Sequence, residues 1–179
     1  MGFENTTKTV SVPQNGKLNI QLQQNDILTE EVIVKGSRAG TKTPVAHTNI
    51  AKETIEQQNL GQDIPVLLSM SPSLVATTDA GAGVGYSNLR IRGTDIKRIN
   101  VTIDGIPLND PESHGVWWVN MPDFASSLKN IQIQRGVGTS VNGAAAFGAT
   151  INLQSQMPDK KAYANASASY GSFNTQKYN

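Results

Sequence analysis

Short runs in which every second residue is apolar dominate the middle of the chain and predict β-strands. Leu89 and Ile91 alternate with arginines, and the same two-residue period recurs over residues 99–104 and 131–134. This period places apolar side chains on one face of a strand and polar side chains on the other. The runs therefore predict strands of a mixed sheet with one side packed. A further strand is predicted over residues 150–153.

Helical signals are short and lie mainly before these strands. Residues 45–60 predict a strand followed by a helix around residues 52–59, which Gly61 stops. Another short helix is predicted between Pro122 and Asn130.

A second helix is predicted over residues 63–70. Asp63 suits the N-cap position and Pro65 suits the first turn. Its expected apolar face consists of Val66, Leu67 and Met70, and Ser71-Pro72 ends it.

Glycine is concentrated in the middle of the chain. Ten of the 16 glycines fall between Gly81 and Gly148, so this region contains many tight turns. Residues 77–87 form a glycine-rich loop. Asp104-Gly105 predicts a two-residue hairpin turn, which leads into residues 106–108.

The sequence patterns at the two ends of the chain predict other elements than those of the middle. Residues 7–24 predict two short strands around a turn, a piece too small to fold alone and typical of the end of a β-domain that begins upstream. Residues 162–170 alternate small apolar with mostly polar side chains over the length of a membrane-barrel strand. An ordinary exposed strand has the same pattern, and periodicity alone favours it. The N-terminus lacks the features of a signal peptide, and no segment approaches the ~20 apolar residues of a membrane helix.

Composition removes several classes of function. The net charge is +1, which gives no sign of a nucleic-acid partner, and the absence of cysteine excludes thiolate chemistry and disulfides. His47 and His114 lie far apart, so no metal site is predicted. Residues 81–85 are not a phosphate loop, and no hydrolase signature is present. We therefore predict no enzyme, no catalytic residue and no cofactor.

The order of several motifs resembles the plug domain of TonB-dependent outer-membrane receptors. The motifs are SNLRIRGTD at 87–95, INVTIDGIPLND at 99–110 and the long segment at 121–156, followed by an alternating strand. The similarity covers residues 30–156. It implies an α+β fold with a small mixed β-sheet, short helices and glycine-rich loops, preceded by a partial β-hairpin and followed by one barrel strand.

The resemblance also implies a division of the chain. Residues 1–26 would be the tail of the β-sandwich that precedes the plug in Bacteroidetes-type members, and residues 27–36 the Ton box. A linker over 37–44, a plug over 45–157 and the truncated first barrel strand over 160–179 would follow. Residues 160–179 are expected to be flexible or mispaired, because unpaired strand edges associate readily.

In this family the plug fills a barrel of about 22 strands that crosses the outer membrane. The resemblance implies import of a scarce nutrient, an iron–siderophore or another iron complex, driven by TonB from the periplasmic side, while the fragment itself would be soluble. The partners would be the TonB C-terminal domain, the protein's own β-barrel and the transported ligand. A free-standing β-rich interaction or signalling module with no transport role is the alternative, and it predicts a closed fold.

The resemblance implies three sets of site residues. The Ton box would add a strand to a TonB sheet through backbone hydrogen bonds, the alternative being a plain edge strand. Two arginines would pair with glutamates of the barrel wall, the alternative being solvated surface side chains. Loop residues would face the substrate, the alternative being that one tryptophan fills the core. The Ton-box residues are Glu30, Glu31, Val32, Ile33 and Val34, and the barrel-facing arginines are Arg92 and Arg135. The substrate-facing loop residues are Asp79, Gly83, Tyr86, His114, Trp117 and Trp118.

Overall fold

A computed structural model describes residues 2–3, 7, 20–21, 24–25, 38–40, 42–138, 146–157 and 162–179. The chain divides into two compact units, Met1–Val32 and Ile33–Asn179. In the first unit, strand β1 (Gly2–Phe3) pairs antiparallel with β2 (Gln24–Asn25). The strands predicted over 7–24 lie largely outside the described residues.

A five-stranded mixed sheet forms the centre of the second unit. Its strands are β3 (His47–Ala51), β6 (Ile99–Ile103), β7 (Ile106–Pro107), β8 (Leu128–Arg135) and β9 (Ala149–Ser155). They lie in the order β3-β8-β9-β6-β7. The β6–β9 pair is parallel and the other pairs are antiparallel, so the mixed-sheet prediction is confirmed.

The predicted turn between β6 and β7 is also confirmed. Ile103 pairs with Ile106 across it, and the φ angles of Asp104 and Gly105 are +50° and +85°. Two consecutive positive φ values are the signature of a type I′ hairpin turn, which Asp-Gly favours.

Both sides of the central sheet are buried, and the prediction that one side is packed is wrong. One side carries the isoleucine, valine and leucine side chains of β6, β8 and β9. The other, which we call the polar face, is also largely shielded from solvent, with Gln134 and Thr150 at 0% exposure. The register places its members on one side: Asn49, Asn100, Thr102, Asn130, Gln132, Gln134, Thr150, Asn152 and Gln154. Hydrogen bonds among these side chains, such as Thr102 Oγ1 to Asn152 Oδ1 at 2.7 Å, offset much of the cost of burial.

Both predicted helices before the second sheet are present. Helix α1 (Lys52–Gln58) follows β3 directly, and helix α2 (Ile64–Leu67) continues as a 3₁₀ turn over Leu68–Met70. Met70 is the last residue of this turn and is 85% exposed, so its expected place on the apolar face is wrong.

A second, two-stranded sheet joins β4 (Leu74–Thr78) and β5 (Ser87–Ile91). Residues 77 and 78 belong to β4 and not to the predicted loop, so the loop covers residues 79–86. Leu74, Leu89 and Ile91 are buried and join the main core beneath the apolar side of the central sheet.

The end of the chain folds back as a small hairpin. Strand β10 (Ala168–Tyr170) pairs with β11 (Gln176–Tyr178) across a 3₁₀ turn at Ser172–Asn174. Of the strand predicted over 162–170, only these last three residues are β. The described part of the chain holds no helix that is long and apolar enough to span a membrane.

Candidate functional site

A cavity of about 300 Å³ opens where β5, the 3₁₀ turn at Ile96–Arg98 and residues 113–119 meet. Its wall combines aromatic and aliphatic side chains with a few polar groups, which is the usual composition of a ligand pocket. The structure brings three of the predicted loop residues to this wall, namely Tyr86, Trp117 and Trp118. Further residues that were not among the predicted site residues also line it, namely Ile96, Lys97, Ser113, Val116 and Val119.

The two adjacent tryptophans have different environments. Trp118 begins a 3₁₀ turn, is 2% exposed and belongs to the hydrophobic core. Trp117 is 53% exposed. Trp118 Nε1 is buried and has no hydrogen-bond partner among the described residues. One tryptophan therefore fills the core, as the alternative prediction had it, and the other presents its ring to the cavity and to solvent.

The segment that carries Ser113 and Trp117 is braced by Asn109 and Asp110. The Asn109 side chain accepts from Val101 N–H at 2.8 Å and donates to the carbonyls of Ile99 and His114. Asp110 accepts from Ser113 N–H at 2.7 Å. Hydrogen bonds from Ser113, with a smaller contribution from the charge of His114, lower the pKa of Asp110.

His114 itself is exposed and does not line the cavity. Its φ of +57° places it at a bend of this braced segment. Among the described residues no group of three or more metal-ligating side chains converges, at His114 or elsewhere.

The glycine-rich loop is anchored by a buried aspartate. Asp63 Oδ2 accepts from Gly85 N–H at 3.0 Å and from Ser87 Oγ at 2.6 Å, while Asp63 N–H donates to the Gly83 carbonyl. The N-cap position of Asp63 is confirmed, but its side chain bonds to the loop and not to its own helix. A buried carboxylate that receives two hydrogen bonds fixes the loop relative to α2.

This anchoring separates the predicted loop residues. Gly83 is buried against α2, where a Cβ would lie 3.2 Å from that of Gln62. Asp79 N–H donates to the Tyr86 carbonyl and extends the β4–β5 ladder. Neither lines the cavity, so within this loop only Tyr86 does.

A sequence signal for the missed side of the cavity exists at Asp95. Its side chain accepts from Lys97 N–H at 3.1 Å and caps the 3₁₀ turn that presents Ile96 and Lys97. Aspartate two residues before a backbone donor is typical of such a turn.

The two predicted barrel-facing arginines contact different groups of the plug. Arg135 donates to Thr48 Oγ1 at 2.6 Å, and its backbone N–H donates to the Ala46 carbonyl. Arg92 Nη1 lies 3.0 Å from the position that a Cβ on Gly136 would occupy. In the part of the chain that the structure describes, neither arginine has a carboxylate within ion-pair distance. The predicted Ton box, residues 30–34, lies outside the described residues.

Comparison with known families gives these features a common context. The family described as TonB-dependent Receptor Plug Domain matches residues 40–150, which is more than half of the chain. This chain belongs to the TonB-dependent receptor plug family. The matched residues include both helices, the whole cavity wall and every strand of the central sheet except β9, of which they include the first two residues.

Relatives of this plug are much longer proteins. It is 26% identical over 122 residues to the vitamin B12 transporter BtuB of Vibrio vulnificus, covering 68% of this chain and 19% of that protein. The siderophore receptor PiuA of Acinetobacter baumannii has a similar fold, with a TM-score of 0.59 at 21% identity, over 76% of this chain and 18% of that one. The copper transporter OprC aligns with a TM-score of 0.51 at 14% identity, over 73% and 19%. The plug chain thus spans about a fifth of the length of these relatives.

Proposed function

We propose that this chain is the gating plug of an outer-membrane receptor that imports a scarce nutrient with energy from TonB. The match of residues 40–150 to the plug family carries this proposal. The relatives are transporters and receptors, which favours a plug over a free-standing interaction module and over an enzyme.

Residues 30–34 are the proposed contact with TonB. An extended segment binds by adding a strand to the partner's sheet, so the backbone supplies most of the hydrogen bonds. The sequence EEVIV supports this assignment, since its valines and isoleucine favour an extended backbone.

A titration with the TonB C-terminal domain tests the proposal. Val32→Pro removes a backbone donor from the strand, so we expect binding to weaken about tenfold or more by calorimetry. The matched control is Lys42→Pro, which places the same residue in the predicted linker and leaves the affinity unchanged. Equal affinities for the wild type and Val32→Pro would overturn the assignment of the Ton box.

The arginines Arg92 and Arg135 are proposed to face glutamates of the barrel wall. Arg92 lies beside Gly136 and Arg135 contacts Thr48, and neither arginine has an acidic partner among the described residues. A guanidinium with no acidic partner in the plug can bind a carboxylate from outside it, in the bidentate geometry that arginine favours.

The cavity at Tyr86 and Trp117 is the proposed contact between plug and cargo. An exposed aromatic ring beside an aliphatic wall buries apolar surface when a ligand arrives. We propose an iron–siderophore or other iron complex as cargo. The relatives named above transport vitamin B12, bind siderophores or transport copper, so a growth assay of a deletion strain on iron, haem, cobalamin and glycan sources decides among cargo classes.

A further inference from the structure

Residues 38–40, which we call the strap, lie across the polar face of the central sheet. Ala39 is 5% exposed although it belongs to no helix or strand. Arg38 is half-buried on the same face, and this burial lowers its pKa. The strap is thus packed on the sheet by side-chain contacts and not by a β-ladder.

One glutamine fastens the strap. Gln132 Oε1 accepts from Ala39 N–H at 2.8 Å, and Gln132 Nε2 donates to the Ala39 carbonyl at 2.9 Å. The same amide also donates to Asn49 Oδ1 at 2.7 Å and accepts from Gln134 Nε2 at 2.9 Å. All four hydrogen-bonding positions of this amide are therefore used, and two of them hold the backbone of a single strap residue.

The arginine of the strap makes a second attachment. Arg38 Nη1 donates to Asn130 Oδ1 and to Gln154 Oε1, the latter at 3.3 Å. Asn130 and Gln154 are register partners on β8 and β9. The strap therefore contacts the polar face at two neighbouring rows.

The surface near the strap retains unused hydrogen-bonding capacity. Asn152 is the register partner of Gln132 and is 4% exposed, yet its Nδ2 has no partner among the described residues. The hydroxyl of Thr150, on the same face, also lacks one there. Buried donors without partners favour any state in which water reaches them.

We propose that the strap is a removable cover, fastened by Gln132, and that its release exposes the polar face to water. The strap comes a few residues after the proposed Ton box, so tension applied there reaches Arg38 and Ala39 before it reaches any strand of the central sheet. Side-chain hydrogen bonds that hold one residue yield before a ladder that holds a whole strand. On the proposed function, the uncovered amides and hydroxyls form one hydrophilic wall of the path for cargo.

Thiol labelling of the chain tests whether the strap covers this face. Asn152→Cys reports on the polar face, and Ala149→Cys, on the same strand, reports on the opposite face. Gln132→Met keeps the side-chain length but removes all four hydrogen bonds. We expect this substitution to raise the labelling rate at position 152 about tenfold or more and to leave position 149 unchanged. Equal increases at both positions, or no increase at 152, would refute the proposal.

Arg38→Met provides the second variant, because it alters the strap and leaves every sheet residue in place. It is expected to raise labelling at position 152 selectively as well, and it decides the question if Gln132→Met does not fold.

Single-molecule pulling between Gly36→Cys and Met157→Cys is expected to show a small extension before the sheet ruptures. That early step should disappear in Gln132→Met, and its persistence there would contradict the proposal. Neither measurement needs TonB, so their failure is distinct from a failure of the proposed function, which the TonB titration reports.

Discussion

Gly148 marks the closest backbone approach among the described glycines. Its N–H donates to the Arg98 carbonyl at 2.8 Å, and its carbonyl accepts from Gly136 N–H at 2.8 Å. A Cβ at this position would lie 2.2 Å from Thr94 Oγ1 and 3.0 Å from the Arg98 carbonyl oxygen. The φ of Gly148 is not in the left-handed region, so steric closeness alone requires glycine here.

Gly148→Ala is therefore expected to destabilise the chain. The added methyl overlaps Thr94 and a backbone carbonyl, and neither moves without disturbing the edge of the sheet. We expect the free energy of unfolding in urea to fall by about 1–3 kcal/mol, the usual cost of overpacking.

Gly81→Ala is the matched control for this prediction. No atom lies within 4 Å of a Cβ at Gly81, and its φ is outside the positive region. The same substitution there is expected to change stability by no more than about 0.5 kcal/mol. A similar loss at both positions would show that the contact with Thr94 is not the cause.

At the scale of elements, Lys177 ties the terminal hairpin to the body of the plug. Lys177 Nζ lies 2.9 Å from Asp123 Oδ1 and also donates to Ser126 Oγ and to the Asn59 carbonyl. Burial raises the pKa of Asp123, but hydrogen bonds from Lys177, Asn59 and Ser126, together with the Lys177 charge, outweigh this effect and lower the pKa overall. The carboxylate is thus held in its charged form by the hairpin that it binds.

Docking of the hairpin should consequently depend on pH. Asp123 has a lowered pKa in the folded state, so its contribution is present above about pH 4 and is lost as the pH falls through the lowered value. We expect the NMR signals of β10 and β11 to shift toward those of a detached hairpin below that pH. Asp123→Asn should abolish this transition.

Asp110→Asn is the control for the pH dependence. Asp110 also has a lowered pKa, but its partners are Ser113 and His114 and not the hairpin. The substitution should leave the hairpin transition unchanged. A transition that follows Asp110 and not Asp123 would contradict the role given to Lys177.

At the scale of the whole molecule, the cavity is built from parts of the chain that are distant in sequence. Tyr86 comes from the anchored loop, Lys97 from the capped turn, and Trp117 from the segment braced by Asn109. The core residue Trp118 joins this wall to the sheet. A surface assembled in this way keeps its shape only while the sheet, the loop and the turn remain packed together.

Trp117→Ala tests the role proposed for the cavity. Because the side chain is 53% exposed, its loss is expected to change stability little but to lower cargo uptake by the receptor that carries this chain. Uptake and urea unfolding are measured side by side.

Trp118→Ala serves as the contrasting variant. It removes a buried side chain and should cost about 3–5 kcal/mol of unfolding free energy. Normal uptake by Trp117→Ala would remove this ring from the proposed contact with cargo.

The features predicted correctly from the sequence are local ones. The Asp104-Gly105 turn, the N-cap at Asp63 and helix α1 depend on neighbouring residues and on backbone preferences, which the sequence displays directly. Strand β4 was missed because no element was predicted over residues 74–76 and its last two residues were assigned to the glycine-rich loop. The sequence placed both tryptophans near a site but could not assign one to the core, since that depends on the packing of distant segments.

The sequence by itself determined the strand periods, the turns and the order of motifs that marks the plug family, because these depend on local geometry and on residue order. Only the tertiary structure decided that the polar face is buried. Gln132 meets Ala39, and Arg38 meets Gln154, across some ninety residues of chain or more. A two-residue period shows which side chains share a face, but only contacts between distant segments decide whether that face meets water or protein.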